Sequence, residues 1–224
     1  MSDKNSVYIR FMAPIMPNTI KSLSQCLDQA ILHRSEHIHL LISSGGGSVF
    51  HGISMYNYLK GLNINITTYN FGSADSIATV LFCAGKNRIC VPNARFLIHP
   101  VSLNLNAPLL LKDKDLEEQL KSIKIDTENI AKIISDTANK DIKDVEEKMH
   151  NRTTLNPIEA KKYGLATDIN SNLYNNDNIL YSIYEDGSIF QYIPNPDITS
   201  NMSQSPINFY NLPEQAIKKN ILQN

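Results

Sequence analysis

Apolar positions along the chain follow two alternating rhythms. Val7 to Met12 is a compact apolar run that predicts a strand. From Asn18 to about His33, the residues Ile20, Leu23, Leu27, Ala30 and Ile31 fall three and four apart, the spacing of one helical face. Ile38 to Ile42 reads as a second, buried strand. Ser43-Ser44-Gly45-Gly46-Gly47-Ser48 is a glycine-rich turn, and a helix follows it with Val49, Ile53, Tyr56 and Leu59 on one side and Gly61 just past its end. Ile64 to Tyr69 predicts a strand, Gly72 to Asp75 a turn, and Ser76 to about Ala84 a short apolar helix. Arg88 to Val91 and Phe96 to His99 are two more short strands. This alternation implies an α/β fold with a largely parallel, buried sheet.

A long helix is expected from about Lys112 to Thr137. Its apolar stripe of Leu116, Leu120, Ile123, Thr127, Ile130 and Ile134 needs a packing partner, either the parent domain or another subunit. A second helix spans about Asp141 to Met149. Asn156-Pro157-Ile158-Glu159 starts a third, with Asn as cap and Pro at the first position, and Gly164 stops it. Near residue 170 the composition shifts toward Asn, Ser and Pro. The division expected is a domain over 1–170 and a C-terminal extension over 171–224. The extension carries a hairpin at about 178–193 around Asp186-Gly187, then a loop or tail with a short helix near Pro213 to Leu222.

Composition narrows the classes of function. Hydrophobic residues make up 42% of 224 and charged residues 19%, enough for a real core. A net charge of −1 gives no reason to expect nucleic acid or an anionic membrane as partner. Cys26, Cys83 and Cys90 form no CxxC pair and read as buried thiols. The first five residues show no signal or transit pattern, and the longest apolar run, Ile77 to Gly85, is too short to span a bilayer. The expectation is a cytoplasmic protein.

Two segments offer parts of a serine-hydrolase site. A serine nucleophile needs a base within reach and backbone N–H groups aimed at the oxyanion. Gly45-Gly46-Gly47 lets backbone approach a ligand closely. Gly72-Ser73-Ala74-Asp75-Ser76 puts a serine at a helix start, where negative charge is favoured. His99 ends an apolar strand. Each part alone has a plainer reading: a turn, an N-cap, a core histidine. A GxSxG elbow is absent, since Ala74 and Ala78 flank Ser76. His37 and His39 share one face of a strand, but two ligands without a third read as surface histidines rather than a metal pair. His51 and His150 read as ordinary helix positions.

The order of the motifs is more specific than any one of them. The glycine-rich turn, Gly72 to Ser76, Cys90-Val91-Pro92-Asn93-Ala94-Arg95, Phe96-Leu97-Ile98-His99 and Glu159-Ala160-Lys161-Lys162-Tyr163-Gly164-Leu165 together resemble the Clp protease proteolytic subunit (ClpP-like) family over about Val7 to Asp168. The resemblance implies a crotonase-like spiral of ββα units with a long handle helix. It implies a serine endopeptidase acting on unfolded proteins or peptides, with Ser76 as nucleophile and His99 as general base. Gly47 and Ile77 would supply the oxyanion-hole N–H groups, and Gly45 and Gly46 would hold an extended substrate by strand addition. It implies no cofactor and no metal. It further implies a homo-oligomer of stacked rings joined through the handle helix, and an AAA+ unfoldase ATPase as possible partner.

Three departures set limits on that reading. Where the family places an Asp, this chain has Arg152, with Asn151 beside it. Asn151 is the candidate third member, able to orient the imidazole but not to stabilise imidazolium by charge; a plain loop role stays open for it, and Asp126 is a remoter candidate. Asp75, next to the nucleophile, reads as a helix cap. Only about six residues precede the first strand, which argues against the ATPase partner. Two alternatives remain: a catalytically silent ring subunit with a structural or regulatory role, and an acyl-CoA enzyme of the wider crotonase group, which would not need Ser76 and His99 together.

Overall fold

The computed structural model describes residues 5–102, 112–174 and 177–193. The strands are β1 (Ser6–Phe11), β2 (His37–Ser44), β3 (Asn65–Asp75), β4 (Asn87–Cys90), β5 (Arg95–Ile98), β6 (Thr153–Leu155), β7 (Asp168–Ile169), β8 (Ile179–Ile183) and β9 (Ile189–Tyr192). The helices are α1 (Pro17–Leu32), α2 (Val49–Gly61), α3 (Ile77–Phe82), α4 (Asp113–Ala138), α5 (Ile142–His150) and α6 (Pro157–Tyr163). The strands form one sheet in the order β6-β5-β3-β2-β1-β8-β9, with β4 on β3 and β7 on β4. Pairing is parallel except for β5 with β6 and β8 with β9. One face of the sheet carries the main core, with Phe11, Leu27, Ile42, Leu59 and Phe82 among its buried side chains.

The long β3 positions the site. Its first half pairs with β4 from Thr67 to Asn70, and its second half pairs with β5 from Ser73 to Asp75. The segment predicted as a turn, Gly72 to Asp75, is therefore strand. It stays extended because β5 takes over where β4 leaves off. β6 and β7 have two or three residues each, too few to show a period of two, and the sequence did not reveal them.

The predicted helix signals largely hold. Asn156 accepts from the Glu159 N–H at 3.0 Å, and the Glu159 carboxylate accepts from the Asn156 N–H at 2.8 Å. Gly164 closes α6 at φ +96°, a conformation suited to glycine. In α4 only the C-terminal half of the apolar stripe is covered: Ile130 and Ile134 are buried, while Leu116 and Leu120 are 52% and 53% exposed. Among the described residues no helix is long and apolar enough to cross a membrane.

The hairpin is an edge-strand addition. β8 runs parallel to β1, pairing Val7 with Ile179 and Phe11 with Ile183, and buries Tyr181 in the main core. Its connection is longer than the two-residue turn expected. Tyr184 and Ser188 pair across Glu185-Asp186-Gly187, with Gly187 at φ +82°. The tail beyond Ile193, including the helix expected near Pro213 to Leu222, lies outside the described residues.

Candidate active site

Ser76 sits where β3 turns into α3. Its N–H donates to the Leu97 carbonyl at 2.7 Å, tying it to β5. Its backbone is at φ 59° and ψ −130°. A residue with a Cβ pays roughly 1–3 kcal/mol for such a conformation, so the surroundings must enforce it. They do so through α3, whose six residues from Ile77 to Phe82 are all buried. Ile77 opens that helix, so its N–H has no intrahelical acceptor.

The glycine-rich turn is pressed against this elbow. β2 pairs Ile42 with Asn70 and then, after an irregularity, Ser44 with Ala74, which carries Gly45 to Gly47 alongside Ser76. Gly46 has φ +93°, and a Cβ there would lie 2.8 Å from both the Asp75 carbonyl and Ser76 Cβ. Gly47 has φ +147°, and a Cβ there would overlap the Ile15 carbonyl. The Ile15 N–H donates to Gly46 and its carbonyl accepts from the Ser48 N–H, both at 2.8 Å. Among the described residues the Gly47 N–H has no acceptor, so it and the Ile77 N–H are two unused donors. Gly45 differs: nothing lies within 4 Å of a Cβ built there.

His99 follows β5 directly. With Gly47, Ser76 and Ile77 it lines a small cavity of about 60 Å³, whose wall is completed in part by Pro100 and by Ile130 and Ile134 of α4. His99 Nδ1 lies 2.7 Å from the Pro100 carbonyl oxygen. A carbonyl only accepts, so Nδ1 is the donor in this contact, and in the neutral ring Nε2 keeps its lone pair. Among the described residues no hydrogen bond joins Ser76 Oγ to His99.

The remaining sequence candidates fall elsewhere. Asn151 caps the C-terminus of α5, with its N–H on the Glu147 carbonyl at 2.9 Å; it is exposed and does not line the cavity. The β5–β6 pairing ends at Ile98 with Thr153; His99 and Arg152 are the next residues, and Arg152, at φ 50°, lies in the turn before β6. Asp126 is half-buried on α4 and also absent from the cavity wall.

Asp75 does not cap α3. Its carboxylate pairs with Arg95 at 2.7 Å, with 7% of the Asp75 side chain and 62% of the Arg95 side chain exposed. The strand pairing explains this, because it fixes Asp75 on β3 beside β5 rather than in a loop free to fold over the helix. His37 and His39 are not surface histidines. Their rings stack at 4.2 Å, His39 stacks on Tyr8 at 4.2 Å, and its Nδ1 meets the Tyr69 hydroxyl at 2.9 Å. Tyr8 and Tyr69, with Tyr174 packed on them, form a second cluster that covers this face. His51 Nδ1 meets the Ser48 hydroxyl, the cap of its own helix, at 2.8 Å. His150 lines a separate open groove between α4 and α5 with Ile123, Glu128 and Glu146.

All three cysteines are buried free thiols. Burial pushes the Cys83 and Cys90 thiols up to about 11, away from nucleophilic chemistry. Sequence reasoning missed Ile15 and Pro100. Ile15 acts through its backbone and leaves no side-chain signature. Pro100 was visible as part of a His-Pro dipeptide.

Comparisons with known proteins bear on the family and the fold. The family model described as Clp protease matches residues 6–172. The chain is 28% identical over 149 residues to an ATP-dependent Clp protease proteolytic subunit of Bdellovibrio bacteriovorus, covering 66% of this chain and 70% of the relative. It is 30% identical over 139 residues to the ATP-dependent Clp protease proteolytic subunit 1 of Rhodopirellula baltica, covering 61% of this chain and 60% of that protein. Its fold is similar to the solved structure of a ClpP1 mutant from Listeria monocytogenes, at a TM-score of 0.66 and 22% identity, over 76% of this chain and 93% of that one. The match spans β1 to β7, the elbow and the long helix α4, and the chain belongs to the Clp protease family.

Proposed function

We propose that the chain is a serine endopeptidase of the Clp proteolytic type, cleaving unfolded proteins or peptides through an acyl-enzyme on Ser76. The observation that carries the reading is the strained Ser76 elbow sharing one cavity with His99, Gly47 and Ile77. In this reading His99 Nε2 takes the Ser76 Oγ proton as Oγ attacks the scissile carbonyl. The Gly47 and Ile77 N–H groups receive the oxyanion, worth roughly 3–4 kcal/mol per donor in comparable sites. The imidazolium then gives its proton to the leaving amine, and water repeats the cycle to release the acyl group. Gly45 and Gly46 would hold substrate in an extended conformation. The exposed Leu116 and Leu120 on α4 suit contact with another copy of the chain in stacked rings. The ATPase partner remains part of the proposal only as an expectation from the family.

A specific observation favours a second reading, a catalytically silent ring subunit. Among the described residues that line the cavity with His99 there is no carboxylate to steady an imidazolium by charge. Labelling with a fluorophosphonate serine probe separates the two. Wild type should label and Ser76→Ala should not; an assembled wild type that never labels would refute the peptidase and leave the silent subunit.

A further inference from the structure

The geometry points to the Pro100 main-chain carbonyl, rather than to Asn151 or another side chain, as the acceptor that orients His99. This inference rests on the reading of His99 as the general base. It starts from the 2.7 Å contact between His99 Nδ1 and the Pro100 oxygen. A general base in this role needs two things from its third partner: the correct tautomer and a fixed ring direction. A carbonyl supplies both, since it accepts and never donates.

The His-Pro dipeptide makes the contact inexpensive to form. A residue before proline is confined to extended backbone, which restricts His99. The proline ring fixes φ of Pro100 near −65°, so the carbonyl has only one soft torsion left. Ring and acceptor are adjacent in sequence, so no loop must close to bring them together.

The other acceptors are badly placed or wrong in kind. Arg152, one residue outside the β5–β6 pairing, carries only donors on its side chain. Asn151 is exposed at the end of α5 and does not line the cavity. Asp126 lies off the cavity wall. Glu128 and Glu146 line the groove between α4 and α5, which shares with the cavity only the Pro100 wall.

The chemical consequence is a base with the right tautomer and a weaker partner than a carboxylate. In a related triad an Asp-to-Asn change costs about 10⁴ in kcat because it imposes the wrong tautomer. Here Nδ1 holds the proton whatever Asn151 does. What is lost is the charge that would steady the imidazolium.

An amide-to-ester change tests this directly. Replacing Val101 by its α-hydroxy analogue turns the Pro100 carbonyl into an ester carbonyl, a weaker acceptor. It also deletes the Val101 N–H, which donates to nothing among the described residues. Two readouts are compared in full-length protein: the rate of fluorophosphonate labelling, and the nitrogen and proton NMR signature of His99 Nδ1–H.

Wild type and Asn151→Ala should share the Nδ1-protonated signature and label at rates within about threefold, while the ester variant labels about tenfold more slowly and its Nδ1–H exchanges faster, as expected for weakening one hydrogen bond. Asn151→Ala slowed as much as the ester variant, or an ester variant indistinguishable from wild type in both readouts, would overturn the assignment. If no form labels, the peptidase reading fails, yet the Nδ1 signature still decides whether Pro100 holds the ring.

Discussion

The two walls of the cavity are built in different ways. The nucleophile wall is made of backbone that three strands and a helix determine together. Ser76 is tied to β5, Gly46 is packed on Ser76, Gly47 is packed on Ile15, and α3 is buried along its whole length. The base wall is thinner. His99 follows a four-residue strand whose outer partner, β6, has three residues. Beyond it stand an exposed Asn151 and an exposed Arg152, and the α4 helix that closes the cavity is buried only toward its C-terminus. The difference teaches where the geometry around Ser76 and His99 is fixed by the fold and where it rests on a few local contacts. Groups held by packing need no help; a side chain at the end of a short strand needs an orienting hydrogen bond.

The strongest test of this contrast lies within α4 itself. Ile134 is 1% exposed, belongs to the main core and lines the cavity beside His99. Ile134→Ala should cost about 2–4 kcal/mol of folding stability, the usual range for a buried aliphatic truncation. Leu120→Glu, about four turns earlier and half-exposed, should leave the fold of the subunit unchanged and instead reduce the sedimenting mass of any assembly. Urea unfolding and analytical ultracentrifugation check both halves. Equal losses of stability would mean that α4 packs along its whole length in the isolated chain.

A second test compares neighbours in the glycine-rich turn. Gly46→Ala must place a methyl against the Asp75 carbonyl and Ser76 Cβ at a φ that strains any side chain. Even a shift of about 1 Å at the nucleophile should slow fluorophosphonate labelling about 100-fold. Gly45→Ala meets open space and should label like wild type, within about twofold, the scatter of a neutral surface change. Equal effects would show that the turn acts through flexibility and not through close approach to Ser76.

The same contrast sorts what the sequence could reveal. Ser76, Gly47, Ile77 and His99 were legible because the order of the motifs placed them, and the structure brings all four to one cavity. The strand–helix alternation was legible because β2, α1 and the flanking runs are long enough to show a period. Three things were hidden for physical reasons. β3 continues through Gly72 because pairing to β5 overrides local turn propensity. The α4 stripe reads as continuous, but sequence cannot say that only its Ile130–Ile134 end meets the core. The partner of His99 was sought among side chains, and the contact that the structure offers is a main-chain carbonyl, which no residue type announces.

The smallest expected effect tests the electrostatics of the base wall. Arg152 and His99 each adjoin the last β5–β6 pair, Ile98 with Thr153, and Arg152 is exposed to solvent. In the proposed mechanism, His99 gains a positive charge near this guanidinium when it takes the Ser76 proton. Two unit charges ~6 Å apart in water repel by about 0.7 kcal/mol, a factor of about three in rate. The replacement must not disturb a backbone at φ 50°, and Asn tolerates that region better than other neutral residues. Arg152→Asn should therefore label about threefold faster than wild type in dilute buffer, and the gain should largely vanish near ~0.5 M salt, where screening acts over a few ångströms. A gain that persists in salt would point to relief of backbone strain instead of charge. No gain at either salt concentration would mean that Arg152 points its charge away from the imidazole.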